Sequence, residues 1–167
     1  DDIGYRQTDV AVLSLPTNIT LSVLPHTPLG QKLALEGHNK GHEIMIHLPM
    51  QALSGNQLGP GALTSDMSEQ QIKSEINAAF HNIPFARGAN NHMGSLLTQL
   101  ENPMLWVMQS LKHKQAYFVD SLTTRFSKAS EQAKDVGVPL LQRQVFLDND
   151  VRHSALEKQF KRIITQT

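Results

Sequence analysis

The sequence predicts an α/β fold built on a mainly parallel sheet, and three observations carry that prediction. Short apolar, β-branched runs alternate with amphipathic stretches of helix length. Most of the runs stop at proline, glycine or asparagine, as buried strands do where the chain turns. Chemically able side chains stand at those stops: His26, His47, His92, Asp120 and Asp148. Parallel strands place their carboxyl ends on one rim, and both open doubly wound sheets and closed β/α barrels bind ligands there, so the alternation fits either architecture.

The elements follow in order. Residues 10–15 and 19–24 are apolar and β-branched, separated by Pro16; the second run reads as a buried strand ending in the rigid Pro25-His26-Thr27-Pro28 loop. Residues 29–40 carry Leu29, Leu33 and Leu35 with Gly37 and Gly41 behind them, which predicts a glycine-closed helix. Residues 43–48 predict a strand covered on both faces, stopped by Pro49 just after His47. Residues 51–65 are rich in Gly, Asn, Ser and Pro and read as a loop of about 15 residues, a length more often functional than idle. Ser68 and Gln71 form a capping-box pattern opening a helix through Phe80.

Residues 83–89 form a weaker strand candidate, with Asn90 to Ser95 expected just past its end. Asn102 and Pro103 open a helix with apolar Met104, Leu105, Val107, Met108 and Leu111, and residues 116–119 predict a strand ending at Asp120-Ser121. Residues 127–136 predict a helix closed by Gly137. A strand at 145–147, the acidic Asp148-Asn149-Asp150 and an amphipathic helix at 154–164 complete the series.

At 167 residues the chain fits one domain, a size that buries roughly 70% of its unfolded surface without staples. Lys plus Arg equal Asp plus Glu at 15 each, and no basic run tracks a phosphate backbone, so nucleic acid is excluded as a partner. No apolar run approaches the ~20 residues of a membrane-spanning helix, and a soluble domain is expected. The absence of cysteine removes disulfides and thiolate metal sites while leaving the compartment open. The abrupt Asp1-Asp2 beginning is expected to be a cut inside a fold.

Histidine is the compositional anomaly, with eight copies, several beside Gly, Asn or Pro. Adjacent Asp1 and Asp2 after a strand can divide labour, one ligating a cation while the other stays free as a base; standing alone they would sooner make a solvated turn or helix cap. His42 and His47 are an odd number of residues apart along one strand, so only one faces a given site. His47, at the strand end, is the ligand candidate, and His42 a buried, hydrogen-bonded histidine or a strand-start residue. The Asn90-Asn91-His92-Met93-Gly94-Ser95 segment gathers amides, an imidazole and a hydroxyl that are costly to bury unpaired. It reads as a site, an Asx-type turn, or both. One carboxylate with two imidazoles suits zinc, and also manganese, cobalt or nickel, with positions left for water.

Six segments together resemble the successive motifs of the divergent polysaccharide deacetylases: Asp1-Asp2-Ile3-Gly4-Tyr5, Val23-Leu24-Pro25, the run from Gly41 through His47 to Met50, Asn90 through Ser95, Phe118 through Thr123, and Val145 through Asp148. The resemblance runs the whole chain and implies the distorted (β/α) barrel of the NodB-like deacetylases. Residues 1–167 would form a single domain of that type, lacking the start of its first strand and its C-terminal strand or strands. It implies Asp1 as catalytic base and Asp2 as a ligand to one divalent ion, zinc foremost. The family's His-x-x-x-His pair is incomplete here, since Gln51 stands four residues after His47, and His92 is assigned as the substitute ligand. Asn90 and Asn91 occupy the region of the family's arginine and are assigned with Tyr5 to substrate binding. Asp120 is assigned to the catalytic set as a group orienting a ligand or the acid. Asp148 serves likewise or caps the next helix. The histidine acid of the family's last strand is expected after Thr167. The implied activity is hydrolysis of acetyl groups on a glycan, through an amide or an ester, by an exported, periplasmic protein; the alternative is an envelope protein that binds metal and carbohydrate without turnover.

Overall fold

The computed structural model describes residues 1–146 and 152–166. Its strands are β1 (Leu21–Val23), β2 (Ile44–Met50), β3 (Ala86–Met93), β4 (Tyr117–Asp120) and β5 (Leu140–Gln142), and its helices are α1 (Gly30–Asn39), α2 (Glu69–Asn82), α3 (Glu101–His113), α4 (Ala129–Val136) and α5 (His153–Gln166). The strands form one five-stranded sheet in the order β1-β2-β3-β4-β5, and every pairing is parallel. A doubly wound sheet reverses its order at a switch point. This order never reverses, which is the one-way winding of a β/α barrel wall.

Helices α1 to α4 pack on one face: α1 against β1 and β2, α2 against β2, and α3 and α4 against β4 and each other. The core lies between. Alternate residues Ile44, Ile46, Leu48 and Met50 of β2 point into it and are at most 1% exposed, against buried Ile72 and Met104 from the helices. Ser68 caps α2 as its sequence pattern requires, its hydroxyl accepting from the Gln71 N–H while the Gln71 side chain accepts from the Ser68 N–H. Gly137 closes α4 in the left-handed region, at φ 77°. Gly41, at φ 97°, follows α1.

Of the run at 10–15, to which the sequence assigned no element, residues 10–14 lie within a 3-10 helix, Gln7–Ser14, and Leu15 caps it. Several expectations are corrected. Pro49 does not stop β2, which runs on to Met50. Its carbonyl accepts from Leu63 N–H at 2.8 Å, so its missing donor faces the side where β1 has already ended and no ladder bond is lost. The third strand lies later than residues 83–89: Ile83 caps α2, and β3 includes Asn90 to Met93. Pairing with His47 through Met50 holds those polar residues extended, overriding their weak strand propensity. Val145 and Phe146 belong to no strand, while Leu140–Gln142, unexpected from the sequence, pairs with β4. Leu147, Asp148, Asn149 and Asp150 lie outside the described residues. Among the described residues no helix is long and apolar enough to cross a membrane.

Candidate metal centre

Three segments converge at the carboxyl rim. The first is the chain start, where Ile3 bridges to Val23 in parallel and accepts from Leu24 N–H at 2.9 Å. Gly4 makes this turn possible: its φ is 139°, and a Cβ there would stand 2.1 Å from Thr27 Oγ1. Asp2 itself adopts φ 58°, a left-handed conformation that aspartate tolerates better than most residues. The other two segments are the ends of β2 and β3. Register sets His47 opposite Asn90 and Pro49 opposite His92, so His47, Asn90 and His92 share the sheet face turned away from the helices.

Asp2 Oδ1 lies 2.7 Å from His92 Nδ1 and 3.2 Å from His47 Nε2, and the two ring nitrogens are 3.1 Å apart. On its far side His47 Nδ1 meets Asn90 Oδ1 at 2.8 Å, and Ser22 Oγ meets the same oxygen at 2.6 Å. Side-chain exposure falls from 59% at Asp2 to 20% at His92 and 4% at His47, so the cluster is most open to solvent at Asp2.

Hydrogen bonding with His47 foremost, and then with His92, holds the Asp2 carboxyl well below the usual carboxylate range, against the opposing effect of its own burial. Burial pushes the His47 imidazole below its ordinary value and outweighs the attraction of Asp2. A neutral imidazole whose Nδ1–H donates to Asn90 has only a lone pair at Nε2. The hydrogen bond that lowers the Asp2 carboxyl needs a proton at His47 Nε2, whereas the lone-pair form would need a metal ion to bridge it to the carboxylate oxygen at 3.2 Å. Four-coordinate zinc at 2.0–2.1 Å sets its ligand atoms about 3.3 Å apart. The two separations from His47 Nε2, 3.1 and 3.2 Å, come close to that, the 2.7 Å between Asp2 and His92 is shorter, and all three atoms lie within 4.8 Å of one another. The donor set therefore fits a divalent ion held by Asp2, His47 and His92.

The other assigned residues are placed differently. Asp1 is exposed beside Asp2 and contributes no atom to the cluster. Tyr5 is 51% exposed, and its hydroxyl lies against Gly59 of the 51–65 loop, 2.9 Å from where a Cβ would stand. Asn91 and Asp120 point to the helix side of the sheet, away from the cluster. Asn91 ties β3 to the end of β4: its Oδ1 accepts from Ser121 N–H at 2.8 Å and its Nδ2 donates to Met93 O at 2.6 Å. Asp120 is fully buried; Oδ1 accepts from Leu122 N–H at 2.9 Å, and Oδ2 has no hydrogen-bond partner among the described residues. His26 shapes the rim without joining the cluster, its backbone N–H donating to Asn82 Oδ1 at 2.8 Å. His42 is the buried structural histidine expected, its Nδ1 meeting Ile19 O at 2.9 Å. Ser22 was not foreseen. The available signal is a lone hydroxyl in an otherwise apolar buried strand, which requires a partner.

A family model of divergent polysaccharide deacetylases matches residues 1–167. The uncharacterised protein YibQ of Escherichia coli K12 is 41% identical over 165 residues, 98% of this chain and 52% of that protein. An uncharacterised protein of Haemophilus influenzae Rd is 35% identical over 165 residues, 98% of this chain and 59% of its own length. The chain thus spans a little over half the length of these relatives. The crystal structure of the uncharacterised protein ATU2773 from Agrobacterium tumefaciens C58 matches at a TM-score of 0.91 and 21% identity, covering 99% of this chain and 70% of that one. That likeness speaks to the fold.

Proposed function

The chain belongs to the divergent polysaccharide deacetylase family, and from that premise we propose that it is a metal-dependent hydrolase removing acetyl groups from a glycan, through an amide or an ester. The observation that carries the reading is the convergence of Asp2, His47 and His92 on one point of the rim. Two imidazoles, one carboxylate and a side open to solvent match the donor set of hydrolytic zinc, which is the ion we assign. Such an ion, when bound, polarises a carbonyl oxygen and lowers the pKa of water.

The residues of the chain have separable tasks in this reading. His47, His92 and Asp2 would hold the ion, His47 being the buried ligand and Asp2 the exposed one. Asp1, exposed and adjacent to Asp2, takes a proton from the attacking water at its carboxylate. Tyr5, exposed against the backbone at Gly59, is the aromatic ring assigned to give the sugar a surface.

The test is acetate release from acetylated chito-oligosaccharide by the full-length protein loaded with zinc, beside Asp1→Asn. The reading expects turnover that falls by about 10²–10⁴-fold in Asp1→Asn while the bound zinc is retained. The exposed position of Asp1, outside the ligand set, favours one other outcome: saturable glycan binding with zinc bound and no acetate released. That result would overturn the hydrolase reading in favour of a metal- and carbohydrate-binding protein on the same fold.

A further inference from the structure

We propose that Asn90, braced by Ser22, is a positioning residue that fixes the tautomer of His47 and so determines whether Nε2 presents a lone pair or a proton to the rim. The proposal rests on the metal-site reading and reassigns Asn90 from contacting substrate to orienting a ligand.

The argument starts from what each atom can do. An amide oxygen only accepts, and an amide nitrogen only donates. If Asn90 Oδ1 faces His47, Nδ1 carries the imidazole proton and Nε2 is bare toward Asp2 and His92, as a metal ligand must be. If the amide were turned over, Nδ1 would accept from Nδ2. Nε2 would then carry the proton and donate it to Asp2, closing the cluster as a hydrogen-bonded cap with no lone pair for an ion. The two orientations therefore correspond to two different sites.

Ser22 decides between them. Its Oγ is 2.6 Å from the same Asn90 atom, a usual separation for O–H···O and a short one for N–H···O. The hydroxyl therefore donates to Oδ1, and that oxygen receives two donors, Ser22 and His47 at 2.8 Å. Burial makes the arrangement consequential: Ser22 is 2%, His47 3% and Asn90 5% exposed, so water cannot readily substitute for a lost partner. The backbone supports it as well, since the Ser22↔Met45 and His47↔Asn90 pairings set all three side chains on one sheet face. Histidine ligands elsewhere are commonly held by such an outer hydrogen bond, and its loss typically lowers metal affinity 10–100-fold.

The experiment combines two readouts on the full-length protein. The first is imidazole ¹⁵N NMR of the metal-free protein at neutral pH, which distinguishes an Nδ1–H from an Nε2–H histidine. The second is zinc affinity by titration calorimetry. His47 is expected as the Nδ1–H form in the wild type and in Asn90→Asp, whose carboxylate still accepts, and as a different or mixed form in Asn90→Leu. Zinc affinity should fall 10–100-fold in Asn90→Leu, fall less in Ser22→Ala, and survive in Asn90→Asp. Rescue by Asp separates positioning from mere packing, because Leu and Asp both keep the branched four-atom shape of Asn while only Asp accepts a hydrogen bond. An Nε2–H His47 in the wild type, or equal zinc affinity in Asn90→Leu, overturns the proposal. A wild type that carries Nδ1–H but binds no zinc instead contradicts the metal reading and leaves the tautomer assignment standing.

Discussion

His47 is where two electrostatic influences meet. Burial lowers its proton affinity, Asp2 raises it, and burial prevails. A histidine whose folded pKa lies below its unfolded one binds more protons when unfolded. Stability of the metal-free protein should therefore be fully present above the ordinary histidine value of 6.5 and be lost as pH falls from there toward the folded value. Asp2, whose pKa is also lowered, adds a loss of the same sign at more acid pH, below the ordinary carboxylate value. Urea midpoints of metal-free protein at pH 7 and pH 5 test this. The wild type should lose stability between them, and His47→Gln, which cannot titrate, should lose less; an equal loss in both would show that His47 is not the group responsible. At this scale the sequence was informative about His47, a histidine at the end of an apolar run, and about the acid pair. It marked Asn90 as a site residue without showing which side chain Asn90 faces. Which way a strand side chain points depends on register, and register is set by the partner strand rather than by the residue.

Elements were legible where their ends carry local chemistry. The Ser68/Gln71 capping box and the Gly137 stop are patterns of a few residues, and both occur as read. Replacing Ser68 with Ala leaves the Gln71 N–H without its acceptor, and chemical denaturation should register a cost of about 1 kcal/mol; an unchanged midpoint would mean that tertiary packing alone holds the start of α2. Elements were misread where pairing overrides composition. β3 takes in Asn90 to Met93 because β2 lies alongside it over that whole length. β5 escaped notice because it is three residues long, mostly exposed and without alternation, leaving no periodic signal. Pro49 misled for a physical reason: it breaks a ladder only where its N–H has a partner to lose.

For the molecule as a whole, the alternation of strands and helices gave the fold class but left barrel and open sheet unresolved, because crossover connections look alike in both. Sequential strand order favours the barrel wall. The winding also explains the site. Parallel strands bring the ends of β2 and β3 to one rim, and the Ile3–Val23 bridge carries Asp2 to the same place, so residues far apart in sequence supply one donor set. The measurement that tests this account most directly is the metal content of the purified full-length protein, located by anomalous scattering in crystals, with His47→Ala and His92→Ala as controls. The account predicts one divalent ion per chain between Asp2, His47 and His92, absent from both variants. No ion at the rim, or an ion that persists in His92→Ala, would contradict it.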